Sequence, residues 1–185
     1  MKNNKLLCKF FFILALIQLA VPLYMVWHWE DILQNGKQYT WLTAPVDPYD
    51  AFRGRYIDLR FKDMKGPILS KAQLNSGQTA YAMITEDQKG YAFISSISDS
   101  RPEGDVNSYI KIKVSYIQDD NMAHFVLPFK RYYMQEGLAP RAEQAYRSNA
   151  GTEAMVSVRV KNGYGVVEEL YIGDKTIYEY LRKGE

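Results

Sequence analysis

From Phe10 to Trp27 the chain is apolar except for Gln18, and Leu6 to Cys8 extend that run to spanning length. A helix needs roughly 20 residues to cross a hydrocarbon core of about 30 Å, and Pro22 is tolerable near the end of such a span. Lys2, Lys5 and Lys9 precede the run with no acid among them. Trp27, His28 and Trp29 read as an interfacial anchor, and Glu30 and Asp31 follow. This order of charges predicts a signal anchor over residues 10–29, a basic cytoplasmic tail over 1–9 and everything later on the outer side of the cytoplasmic membrane. The apolar run exceeds the roughly 7–15 residues of a cleaved signal peptide and no A-x-A site follows it. Cys8 precedes most of the run, whereas a lipoprotein needs its cysteine after it. The anchor is therefore expected to stay uncleaved.

Beyond a spacer at residues 30–37 the pattern changes to a period of two, and residues 38–185 read as one extracytoplasmic β-rich domain. Residues 38–43 predict a first strand, and a turn then leads into a strand where Ile57, Leu59 and Phe61 alternate with Tyr56, Asp58 and Arg60. Residues 63–77 read as a loop with a brief helical turn at 68–74. Residues 79–85 and 91–97 predict a hairpin. The cleanest alternation sets Ile110, Ile112 and Val114 against Lys111, Lys113 and Ser115, and a return strand follows at 123–127. Pro140 opens a soluble helix at 139–148 with an apolar stripe through Leu138, Ala142, Ala145 and Tyr146. Asn162-Gly163 is the strongest hairpin signal, between strands at 154–161 and 165–172, and a short terminal strand is expected at 176–180. About nine strands and one soluble helix predict an antiparallel sheet that curls into a barrel or a sandwich, standing on a single transmembrane helix.

Composition narrows the function classes. The 185 residues suffice for one domain with a core plus an appendage. A formal charge of +2, not gathered into a basic face, gives no nucleic-acid footprint. One cysteine excludes an internal disulfide and a multi-cysteine metal site. Fifteen tyrosines against eight phenylalanines suit strands whose rings lie between core and solvent. No cofactor motif, glycine-rich phosphate loop, HExxH helix or nucleophile elbow occurs. His28 and His124 have no ligand at zinc spacing. Ser95 and Ser96 have no evident base.

The densest chemistry lies in residues 44–61, A-P-V-D-P-Y-D-A-F-R-G-R-Y-I-D-L-R-F. Asp47-Pro48 reads as a helix start, Asp50 suits its first turn, and Gly54 breaks it. Asp47, Asp50 and Asp58 are of the type that binds a hard cation or serves as an acid–base pair. Arg53, Arg55 and Arg60 are of the type that grips a carboxylate, a phosphate or an acidic partner. Each set has an ordinary reading as well: capping carboxylates, with Asp58 paired to Arg53, Arg55 or Arg60, and solvated charges on a strand face. Tyr56 completes the candidate binding surface.

Residues Gly54-Arg55-Tyr56-Ile57-Asp58-Leu59-Arg60-Phe61 resemble the signature of the bacterial GDYXXLXY membrane proteins. Gly54, Tyr56 and Leu59 match it, while Arg55 stands for Asp and Phe61 for Tyr. The lead-in from Pro45 to Arg53, Arg101-Pro102, Tyr132-Tyr133 with Gly137, and Asn162-Gly163 extend the similarity along the chain. The resemblance implies a membrane location and association with a larger multi-span membrane protein, and no reaction. The expectation is a non-catalytic accessory or binding domain held to the bilayer by residues 10–29. Its rivals are an envelope enzyme using the carboxylates of Asp47 to Asp58 and a periplasmic small-ligand binder.

Overall fold

The computed structural model describes residues 2–45, 56–62, 64–70, 72–118 and 120–183. Helix α1, Lys2–Asn35, carries the apolar run, is long and apolar enough to cross a membrane, and buries none of its apolar window against the rest of the chain. It does not stop where the anchor was expected to end. Residues 30–35 continue the helix, with Gln34 bonded to Glu30 and Asn35 to Asp31 one turn apart, and Ile32 is buried in the domain. The anticipated spacer is the helix's last turn and a half, ordered because its apolar position docks on the sheet.

Strands follow directly: β1 (Lys37–Leu42), β2 (Tyr56–Asp58), β3 (Lys65–Pro67), β4 (Thr79–Glu86), β5 (Ala92–Ser98), β6 (Tyr109–Ile117), β7 (Met122–Val126) and β8 (Arg131–Tyr133). Helix α2 (Ala139–Asn149) precedes β9 (Ala154–Lys161), β10 (Tyr164–Ile172), β11 (Lys175–Thr176) and helix α3 (Ile177–Lys183). One sheet runs β3-β7-β6-β4-β5. Just past β3 the chain returns to β5, where Ile68 bridges Ile97 and the Leu69 N–H donates to the Ile97 carbonyl at 2.9 Å, so the sheet curls nearly shut. A second sheet runs β1-β9-β10-β11, and a ribbon pairs β2 with β8. Thr43 bridges Phe61 and the Ala44 N–H donates to the Arg60 carbonyl at 2.8 Å, so the ribbon continues the second sheet beyond β1. The fold is a curled, mainly antiparallel β-domain on an N-terminal apolar helix.

Alternation fills its interior. Ile57, Leu59 and Phe61 are buried as their period requires, as are Ile110, Ile112 and Val114. Val156, Val158 and Val160 join them from β9. Trp41, Phe61 and Phe129 meet edge to face with ring centroids 5.5–6.1 Å apart, a favoured aromatic geometry. On α2, Ala139, Ala142 and Tyr146 face inward, and the Tyr146 hydroxyl accepts the Arg60 N–H at 3.0 Å, tying the helix to the motif strand.

Three expectations are corrected. The 63–77 loop contains β3, which pairs with β7. Of the helical turn expected at 68–74, the described residues show one bond, from the Ala72 N–H to the Leu69 carbonyl. The terminal strand at 176–180 is only β11, after which the chain turns into α3. There a reciprocal cap forms: the Glu179 N–H donates to the Thr176 hydroxyl at 3.3 Å and the Thr176 N–H donates to the Glu179 carboxylate at 3.0 Å. Among the described residues the domain thus has more strands than expected and two helices of its own.

Candidate functional site

Asp47, Asp50, Arg53, Gly54 and Arg55 lie outside the described residues. Tyr56, Asp58 and Arg60 lie within them, and they do not form one cluster. Tyr56 is directly opposite Tyr133 in the β2–β8 register, and Asp58 opposite Arg131. The Tyr56 and Tyr133 rings are 5.7 Å apart, and the Arg131 guanidinium sits 4.5 Å from the Tyr56 centroid. The Arg131 Nε is 3.8 Å from an Asp58 oxygen with both side chains nearly half exposed, a separation that contributes little. The Arg60 carbonyl accepts the Ala44 N–H and the Arg60 N–H donates to the Tyr146 hydroxyl. The partner of Asp58 among the described residues is therefore Arg131, which the sequence reading did not assign. Its position in a run of aromatic and basic residues was visible; the strand register that pairs it with the motif was not.

Beside this cluster the second sheet stays open. A cleft of about 580 Å³ lies between residues 128–133 and residues 165–168, with Trp29 of α1 on its wall. Gly165 shapes the floor: a Cβ there would come within 2.5–2.7 Å of the Phe129 ring. The two walls meet at one strong contact, where the Tyr132 hydroxyl donates to Glu169 at 2.6 Å. Burial first, and then the bonded carboxylate, push the Tyr132 phenol far above its ordinary range, which fixes it as a neutral donor. Glu168 is equally committed. Burial alone would raise its pKa, but Arg159 at 2.9–3.0 Å, Ser157 at 2.9 Å and Gln38 at 3.1 Å hold it below the usual carboxylate value. These carboxylates are structural partners rather than poised bases. A second groove of about 430 Å³ runs along Leu59, Phe61, Phe125 and Leu127 to Pro45, where the description of the chain breaks off.

Among the described residues the rest of the surface shows no paired nucleophile and base. Ser95 exchanges bonds with Thr85 and the Met83 carbonyl. His124 stacks on Tyr116 at 4.1 Å and bonds Gln118. Among the described residues no group of three or more His, Cys, Asp or Glu side chains is placed to hold a metal ion.

The height of the cleft along the molecule is fixed by the joint between α1 and the sheet. The Lys161 ammonium donates to both Asp31 oxygens at 2.8 and 2.9 Å, and that bond, with one from Asn35, holds the Asp31 carboxyl below its ordinary pKa. Arg159 reaches the Gly36 carbonyl at 3.3 Å, and the Gly36 N–H closes on Ile32 at 2.9 Å. No larger residue fits at that corner, because a Cβ on Gly36 would lie 2.4 Å from the Ile32 oxygen. The His28 ring packs edge-on against Tyr164 at 5.1 Å. The aromatic and arginine cluster and the open cleft thus lie on a β-domain joined to the apolar helix through a packed corner.

A family model described as GDYXXLXY protein matches residues 18–170, from inside α1 to Leu170 in β10. No curated protein and no solved structure matches the chain.

Proposed function

We propose that this chain, which belongs to the GDYXXLXY family, is an accessory or binding domain of a larger membrane protein. In this reading α1 anchors it in the cytoplasmic membrane of a bacterium, its N-terminus lies inside, and the β-domain stands outside. The carrying observation is the joint. A bare apolar helix passes into the sheet without a linker and is pinned by Ile32, Gly36 and the Asp31–Lys161 pair. A domain that acted on diffusing substrates would gain nothing from a fixed height and angle. One that docks on a neighbour in the same bilayer gains pre-orientation, since less freedom is lost on binding. The aromatic and arginine surface of Tyr56, Arg131 and Tyr133 supplies residue types enriched in interfaces.

Affinity purification of the full-length chain from detergent-solubilised membranes tests this. The expected result is stoichiometric co-purification of one multi-span membrane protein. Recovery of the chain alone, under several mild detergents, overturns the accessory reading. The size of the cleft supports a second reading, a small-ligand binder, because 580 Å³ falls in the range of about 300–1,000 Å³ typical of ligand sites. A small molecule released on denaturing a partner-free preparation would favour it.

A further inference from the structure

We propose that the seam between β8 and β10 takes up an extended segment of the membrane partner, whose backbone adds a strand to the open sheet. This inference rests on the accessory reading above and names the surface and the form of the partner.

The second sheet is unfinished on this side. β10 pairs with β9 along its length but meets β11 only at Tyr171 and Ile172. Over residues 164–170 no described strand pairs with its other edge. β8 pairs with β2, and its remaining edge likewise has no ladder among the described residues. The phase of the hairpin decides which groups point into the seam. Asn162 and Gly163, at φ 54° and 80°, make a two-residue turn closed by Lys161 and Tyr164. The closing pair of such a turn exchanges both hydrogen bonds. Tyr164 and Val166 therefore direct their backbone groups toward β9, while Gly165 and Val167 turn theirs outward to the cleft. Exposed rows of unpaired N–H and C=O groups are templates for strand addition. The space a Gly165 side chain would take is filled by the Phe129 ring, so the core reaches up to this edge of the sheet.

Charge and location select the occupant. Lys130 and Arg131 line one wall, Arg131 3.8 Å from Asp58, while on the other Glu168 is neutralised by Arg159 and Glu169 accepts the Tyr132 hydroxyl. Trp29, two residues beyond the exposed apolar stretch that ends at Trp27, stands at the wall nearest the bilayer. The fitting ligand is an extended segment that leaves the membrane beside α1, with apolar side chains toward Phe129 and carboxylates at alternate positions toward Lys130 and Arg131.

A benzophenone side chain placed at Val166 or at Lys130 in the full-length chain, irradiated in intact membranes, tests the proposal. Both positions should label the same short segment of one membrane protein. Val167→Pro removes an outward N–H and should cut the Lys130 adduct by about tenfold, with the melting temperature of the detergent-purified chain unchanged. If that variant does not fold, Lys130→Glu should reduce the Val166 adduct by several-fold through like-charge repulsion. Adducts to lipid, to a second copy, or to residues 46–55 of the same chain overturn strand addition. So do unchanged yields in a folded variant. A partner that co-purifies but is labelled only from other surfaces overturns the strand and leaves the accessory role standing; no partner at any position overturns both.

Discussion

At Gly165 a missing side chain determines how close the core can come to the sheet edge. The Phe129 ring occupies the volume a Cβ would take, and the Ile110 methyl lies 2.9 Å from the same point. Phe129 is itself buried against Trp41 and Phe61, so it has no open direction in which to yield. Gly165→Val should destabilise the domain by about 1–3 kcal/mol, the range for overpacking a filled interior. Thermal melting of the detergent-purified chain measures it. Adding Phe129→Leu should return part of the loss, because residues in contact are not additive; a Gly165→Val protein that melts with the parent refutes the close contact. None of this could be read along the chain, where Gly165 is one of twelve glycines and Phe129 lies thirty-six residues away. What separates the two kinds of site residue is whether their partners are local. The alternation that buries Ile57 and Leu59 and leaves Tyr56 and Asp58 half-exposed was legible. The pairing of Asp58 with Arg131 depends on a register between distant strands.

The element most altered from expectation is α1, and the same distinction explains it. Glu30 and Asp31 read as the polar end of an anchor, since a membrane-spanning helix has no intrinsic reason to continue past the interface. It continues because Ile32 and Asp31 find partners on β9 and β10, contacts no local pattern encodes. By contrast the hairpins were legible because their turns are local: Asn162-Gly163 adopts the positive φ values its residue types favour. The α3 cap is local too, Thr176 followed by Glu179, at the place where a short terminal strand was expected. The junction of α1 with the sheet should respond to acid in a stated direction. Asp31 is held below the ordinary aspartate value of 3.8, chiefly by the Lys161 bond. Its contribution is therefore complete above that value and is lost as pH falls through the lower, folded pKa. Amide exchange at residues 30–35, corrected for intrinsic rates, should accelerate below about pH 4 relative to exchange in the β9 core. Lys161→Met should show the faster exchange already at neutral pH and little further change with acid. A parent protein with no acid-dependent loosening would show that Ile32 and Gly36 hold the joint without the ion pair.

For the whole molecule, the joint makes topology and function one question. If α1 spans the bilayer with Lys2, Lys5 and Lys9 inside, the positive-inside rule places the β-domain outside. The absence of a linker then puts the Asn162-Gly163 turn and the open seam next to the lipid surface, because Tyr164 packs on His28 and Trp29 at the end of the apolar stretch. Protease added to intact spheroplasts should therefore digest the β-domain and leave a short membrane-embedded fragment containing residues 10–29. Sites at the end of β10 away from Tyr164, such as Lys175 past the Gly173-Asp174 turn, should be cut well before Lys161, which is shielded by the bilayer and its bond to Asp31. Full protection of the domain would reverse the orientation. A mature chain lacking residues before about Trp29 would mean that the helix is removed and that the joint has no membrane to fix. Equal cutting rates at the two ends would mean that the domain moves freely about α1, and then neither the cleft nor the unpaired edge of β10 is held where a neighbour in the bilayer would meet it.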